Sequence, residues 1–439
     1  MYRPTALDIF YVSIYIAILC VVLFWHMRRT NGRLGVSGVI LISYIAYPIV
    51  GAFWFFHTPI LYGEIEALTL FPFLYLAAML CIAMLPIFQY DRQDVRKIEQ
   101  PSLLILQAFT VIFFLCALIQ IPSILSDLTS GLKMLLADQS GGHDLYNDSF
   151  RNRTEADGVI SNIPAIIFNI FSPLAFLFFF YSLSLGKRYR WMALCFGICV
   201  IIKSVFSLSK GQRTDTVMAV LNIIIAYWAV RPMLSQTIKK IVRITFIIFA
   251  IGISIPFMAL TASRFGDKDG GVMGGIVYYI GEAPYYFNYT MDADMTRHGD
   301  RTCNYFKQLA GISVPEGVPG VRDAYVGLKI NDSVFSTFVG DFVIDFGPWW
   351  ALFIFVIFSF IFCVLTRPNA PHQIPFHRLI LLFFAMSVCM QGGMYLFSYA
   401  FENNLQIIAI LFTYVAFAAD YYLRHGNLFA QPIKVQSHD

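Results

Sequence analysis

Two cations stand where charge is least expected. Lys210 and Arg213 lie in "SLSKGQRTD", residues 207–215, a short turn between the apolar runs "WMALCFGICVIIKSVF" and "TVMAVLNIIIAYWAV". Lys203 lies deeper, in the preceding run, and positions 203 and 210 are seven apart, which puts both on one helix face. A cation inside a span costs roughly 2.5–3.5 kcal/mol on insertion scales, so an anion or a carboxylate must offset it. The plain structural reading has the lysines snorkelling and Arg213 pairing with Asp215 or a loop acid. The chemical reading is a site for a phosphate-bearing ligand at the membrane surface. Arg213 immediately precedes "TDTV", where Thr214 or Asp215 is placed to cap a helix, and helix N-termini favour anions.

Carboxylates supply the complementary chemistry. Glu282, in "YYIGEAPYYFN", has strongly apolar neighbours. Burial would raise its pKa and suit it to general-base work, with a buried salt bridge as the structural reading. Asp341 and Asp345, in "STFVGDFVIDFGPWW", are four apart and share one face of a helix, which Gly340 and Gly347 are expected to break or bend. They suit either catalysis or a helix-end cap or partner for Arg213 or Arg264. His298 in "TRHGD" reads as solvated rather than as a base, and Arg151 and Arg153 in the shorter polar loop read as solvated, with phosphate or sugar binding as the alternative. The "DAD" of residues 292–294 matches the letters of a metal-bound sugar-nucleotide motif, but nucleotide sugars are scarce on the side where it is expected to lie.

These residues are carried by a membrane scaffold. Of 439 residues, 58 % are hydrophobic and 13 % charged, with a net charge of +4. A soluble domain of that size needs far more polar surface. The 43 Phe and 24 Tyr suit lipid-facing helices with interfacial aromatic belts. Seven of the eight cysteines fall in apolar segments, and no Cys/His spacing suggests a metal site. The first apolar segment lacks a small-residue cleavage site and is expected to be retained as a helix. Apolar runs near 8–26, 36–56, 67–88, 102–122, 161–185, 191–209, 214–230, 241–262, 348–366, 377–397 and 405–422 predict about eleven transmembrane helices in one all-α polytopic domain over 1–439. The loops "MRRTNGR", "DRQDVRK", "KRYR" and "RPMLSQTIKKIVR" are basic, whereas "HTPILYGEIEA" and "SYAFENN" carry no Lys or Arg. The positive-inside rule then places the N-terminus outside and the C-terminus in the cytoplasm. Two large outer loops follow, near 123–160 and 263–347, the second expected to hold re-entrant or amphipathic helices.

Outer cations, outer carboxylates and abundant Tyr and Trp for sugar stacking point to a lipid-linked sugar diphosphate as substrate. There is no GxGxxG after a strand and no GxxxxGK[ST]. Such a donor needs cations to take up charge on the leaving diphosphate and a base for the attacking hydroxyl. Arginine suits the first task through its bidentate fork. On "SLSKGQRTDTVMAVLNIII", "YYIGEAPYYFN" and "STFVGDFVIDFGPWWALFIF", and on the hydropathy layout of nearly the whole chain, the sequence resembles the bacterial O-antigen or oligosaccharide repeat-unit polymerases of the Wzy type. Arg264 with Gly275 matches the Arg-x10-Gly spacing of some members, while Arg213 has no glycine at that offset.

The resemblance implies an enzyme of the bacterial inner membrane with its active site facing the periplasm. It would transfer a growing glycan from undecaprenyl diphosphate to a lipid-linked repeat unit, without metal, nucleotide or other cofactor. Arg213 and Arg264, with Lys210, would hold the diphosphate. Glu282 would be the base, with Asp341 and Asp345 as second choices. Membrane lipid and a chain-length regulator of the Wzz type are the expected partners, and nucleic acid is not. The related O-antigen ligases differ in acceptor alone. A flippase or transporter, the non-enzymatic alternative, predicts charges in several mid-membrane helices and paired halves, and apart from Lys203 the spans are nearly free of charge.

Overall fold

The computed structural model describes residues 4–57, 67–126, 163–209, 214–265, 271–315, 317–328, 330–331, 334–368, 370–394 and 401–425. The described residues are all-α apart from one short strand pair. Predominantly apolar runs give α1 (Ala6–Arg29), α2 (Val36–His57), α3 (Leu70–Ala83), α4 (Leu85–Arg92), α5 (Leu103–Ile119), α6 (Ile163–Ser184), α7 (Arg190–Ser209), α8 (Thr214–Val230) and α9 (Gln236–Phe265). Then come α10 (Gly271–Thr290), the short α11 (Asn304–Leu309) and α12 (Gly317–Ala324), α13 (Thr337–Phe346), α14 (Pro348–Leu365), α15 (Phe376–Gln391) and α16 (Phe401–His425). Among the described residues eight helices are long and apolar enough to cross a membrane, nine if the pair α3–α4, bent by 50°, counts as one. This is the architecture of a polytopic membrane protein.

The surface agrees. Val21 of α1 is 66 % exposed, and Trp349 and Phe360 of α14 are 76 % and 70 % exposed. Side chains of that size turned outward all along a helix are stable against lipid, not water. The centre is different. Every residue of α15 is buried except Arg378. At 16 residues, α15 is about 24 Å long, less than a bilayer's hydrocarbon thickness.

The two ends of the bundle are built differently. At one end Asp91 caps α2 from a distance: it accepts from the Val36 N–H (3.2 Å), the Ser37 N–H (2.8 Å) and the Ser37 hydroxyl. Beside it β1 (Lys97–Glu99) and β2 (Gln373–Pro375) pair in parallel, Ile98 opposite Ile374. Asp94 holds both Arg33 and Arg96 there. This is the end of the basic loops. At the other end Asp8 accepts from the Leu68 N–H (2.9 Å), and Asn288 bonds to the Thr69 N–H and carbonyl (2.8 Å each).

The end opposite the basic loops contains a junction between two helix termini. Helix α15 stops at Gln391, six residues before the expected end of that span. The Gly392 and Met394 carbonyls then accept from the Phe338 N–H (2.8 Å) and the Thr337 N–H (2.9 Å) at the start of α13. The free carbonyls that close one helix therefore satisfy the free amides that open the other. All four residues are buried. Gly392 permits the contact, because a Cβ there would lie 2.6 Å from the Phe338 ring.

Candidate functional site

Helix α13 carries Asp341 and Asp345, one and two turns beyond the buried junction. Its entry is strained. Thr337, wholly buried, has φ +70°, a left-handed conformation that a β-branched residue adopts only when its surroundings dictate it. Gly347, at φ +79°, ends the helix as expected. Gly340 does not break or bend it. The space left by its missing Cβ is filled by the Ser336 side chain, 2.8 Å away at its Cβ, so the chain folds tightly over the helix start.

The partners of the two aspartates come from a stretch whose charges carried no weight in the sequence, "TRHGDRT". Arg297 Nε donates to Asp345 Oδ1 (2.8 Å), and the Thr302 N–H donates to Asp345 Oδ2 (2.7 Å). Arg297 and Asp345 are both fully buried. Arg301, also buried, pairs with Asp341 more loosely, Nε to Oδ1 at 4.0 Å. The structural reading of these acids named Arg213 or Arg264 as partners; the described partners are Arg297 and Arg301. Matched spacing was the available signal: two arginines four apart in one segment, two aspartates four apart in another.

The arginine-bearing loop is fixed on several sides. The Arg297 N–H donates to the Ile344 carbonyl (3.0 Å). Asn404 of α16 bonds both the Thr302 carbonyl (3.0 Å) and the Tyr305 N–H (3.1 Å). Asp300 pairs with Lys307 and accepts from the Tyr325 hydroxyl (2.7 Å). Burial, and then that hydrogen bond to Asp300, push the Tyr325 hydroxyl up to about 12. His298 (φ +53°) and Gly299 (φ +81°) form a left-handed turn in the loop, and His298 is exposed, as are Asp292 and Asp294.

Glu282 lies on α10, which packs along α2. The packing is close enough that a Cβ on Gly51 or on Gly281 would overlap the other helix's backbone. The Tyr285 hydroxyl locks the crossing by donating to the Pro48 carbonyl (2.8 Å). Glu282 is buried, and its Oε2 has no hydrogen-bond partner among the described residues. Desolvation pushes its carboxyl up to about 8, against hydrogen bonds from the Tyr278 side chain and the Phe335 backbone that pull it down. No ion pair to Glu282 occurs among the described residues. The acid is therefore held mainly neutral at pH 7. Phe335 stands two residues before the strained Thr337, and its ring lies 5.8 Å from that of Tyr279, so α10 and the entry to α13 meet beside Glu282.

Lys210, Arg213, Arg151 and Arg153 lie outside the described residues, and Arg264 is described only as backbone near the end of α9. Lys203 donates to Asn169 Oδ1 of α6 (2.8 Å). The helix that Arg213 leads into is tied to the junction: Asn222 of α8 accepts from Gln391 Nε2 (2.9 Å) and from the Ser387 hydroxyl (3.3 Å) on α15.

One further cluster has the residue types of a hydrolase triad without its geometry. At the basic end the Ser37 hydroxyl is 2.7 Å from His26 Nε2, but Asp91 bonds Ser37 and not the far nitrogen of His26. Ser37 is fully buried, so this is a helix cap and not a nucleophile. Compared with family models, with curated proteins and with solved structures, the chain matches none.

Proposed function

We propose that this protein is a metal-independent membrane glycosyltransferase. It polymerises undecaprenyl-diphosphate-linked oligosaccharide repeat units into O-antigen or capsule-type polysaccharide at the outer face of a bacterial inner membrane. The observation that carries the reading is Glu282: a buried, mainly neutral acid with one oxygen free, beside the strained entry to a helix whose two aspartates are gripped by buried arginines. On this reading the bent pair, the 30-residue α9 and the 16-residue α15 each make one crossing beside the eight long apolar helices, eleven spans in all. The N-terminus is then outside, and the Glu282 region faces the periplasm.

In this mechanism the acceptor hydroxyl attacks the anomeric carbon of the donor glycan. Its proton passes to the ionised Glu282 carboxylate, and the carbon–oxygen bond to the lipid diphosphate breaks. The leaving diphosphate departs with two or more negative charges, which need fixed cations. Arg213, Arg264 and Lys210 take that role, and Arg301 joins them, since a pair at 4.0 Å is more easily exchanged for phosphate oxygens than one at 2.8 Å. Asp345, with both oxygens bonded, holds the loop in place, and Asp341 positions Arg301. A chain-length regulator of the Wzz type would act on the growing polymer from outside this site.

The test is a lipopolysaccharide gel of a strain deleted for this gene. Wild type is expected to restore a ladder. Glu282→Gln, at equal protein level, is expected to leave core plus a single repeat unit, a loss of at least the hundredfold typical of a removed general base. Arg301→Gln is expected to shorten or thin the ladder. If the deletion strain shows core with no repeat unit, the chain is a ligase. If Glu282→Gln leaves polymer length and amount unchanged, the base lies elsewhere.

A further inference from the structure

At the basic end, remote from Glu282, the bend between α3 and α4 opens a cleft of about 380 Å³ against α1. Its wall is apolar: Val21 and Trp25 from α1, Cys81 from α3, Leu85 and Phe88 from α4. The lining falls on both sides of Met84, where the helix breaks, so the cleft is a product of the break. Arg92, the last residue of α4, closes its rim. The Arg92 guanidinium lies 5.1 Å from the centre of the Trp25 ring, and that of Arg29 lies 4.0 Å from the same ring.

Two guanidiniums around one indole repel each other, and no carboxylate among the described residues pairs with either. The nearby carboxylates are committed, Asp91 to the cap of α2 and Asp94 to Arg33 and Arg96. Trp25 is 45 % exposed and Val21 66 %, so the cleft opens toward the lipid-facing surface of α1. An apolar slot leading up to two uncompensated cations complements a molecule with a hydrocarbon chain and a negatively charged head.

We infer that this cleft is a binding site for an anionic phospholipid of the leaflet at the basic end, with one acyl chain in the slot and the phosphate between Arg29 and Arg92. The site is independent of the glycan chemistry and of which side of the membrane is the cytoplasm. It would wedge the α3–α4 break and fix α4, whose own Asp91 caps α2.

The full chain purified in detergent and exchanged into mixed phosphatidylglycerol and phosphatidylcholine tests this by native mass spectrometry. Wild type is expected to retain phosphatidylglycerol at least fivefold over phosphatidylcholine (~1 kcal/mol); equal retention by wild type overturns the proposal without recourse to any variant. Arg29→Gln with Arg92→Gln is expected to abolish the preference. Arg231→Gln, at the same end but stacked on Trp228, is expected to keep it. Val21→Trp, which fills the slot and leaves both arginines, is expected to lose retention as well. If the preference survives Val21→Trp, the lipid is held by charge alone and the cleft is not its site.

Discussion

Asp341, Asp345 and Glu282 are all buried carboxylates on apolar helices, yet their partners give them three different characters. Asp345 is saturated by Arg297 and the Thr302 N–H. Breaking such a pair costs about 3–5 kcal/mol, because the remaining charge is left buried. Asp341 faces Arg301 at 4.0 Å and is less tightly held. Glu282 has hydrogen bonds but no cationic partner among the described residues, so burial dominates and its carboxyl rises to about 8. That sets two opposing pH dependences. A general base works ionised, so polymer formation by membranes is expected to rise about tenfold per unit between pH 6 and 7 and to level off above about 8. Stability runs the other way. The folded-state pKa lies above its ordinary 4.5, so the benefit of burying a neutral acid is complete below 4.5 and is lost as pH rises toward about 8. Melting temperatures of wild type and Glu282→Gln, measured from pH 5 to 8.5, are expected to diverge, with only wild type falling. Parallel curves would mean that Glu282 is not buried as a neutral acid.

At the scale of elements, what positions Glu282 is the approach of α10 to α2. Neither Gly51 nor Gly281 can accept a Cβ without moving a backbone. Gly281→Ala is therefore expected to separate the helices, lower the melting temperature by several degrees and remove polymer, although alanine is the better helix former. Unchanged stability and activity in Gly281→Ala would show that the two helices are not this close. A sequence reveals such contacts poorly. Hydropathy made α1, α2, α5, α6, α7, α8, α14 and α16 legible, because a run of apolar residues needs no knowledge of its neighbours. It overran α15, which ends at Gln391 because α13 supplies amides to the following carbonyls. It ran α3 into α4 by passing over Pro86, the one residue in the apolar run that marks the break at Met84. The glycine at 347 was readable as a stop, and the glycine at 340 was misread, because what matters there is a side chain folded over it. Arg297 and Arg301 were passed over for a more local reason: a charge in a polar loop reads as solvated until a distant helix covers it.

The whole molecule is polarised. One end gathers Arg29, Arg33, Arg92 and Arg96 around a strand pair and a remote helix cap. The other gathers the buried acids, the helix junction and the anchored loop. The division follows from the chemistry each face must carry. Excess arginine resists translocation across the membrane, and on the proposed orientation it keeps the basic end inside. Charges buried at the other end must be paired or neutral, and Arg297–Asp345 and Glu282 represent those two solutions. This assignment of sides can be checked without activity. Val326 is 81 % exposed on the Glu282 side of the bundle, and His372, also exposed, adjoins the strand pair at the basic end. In a chain with its native cysteines replaced, Val326→Cys is expected to react with a membrane-impermeant maleimide once the outer membrane is opened. His372→Cys is expected to react only after the inner membrane is permeabilised. The reverse pattern would put the buried acids in the cytoplasm, where nucleotide-linked sugars are available, and a lipid-linked donor would no longer follow from their location.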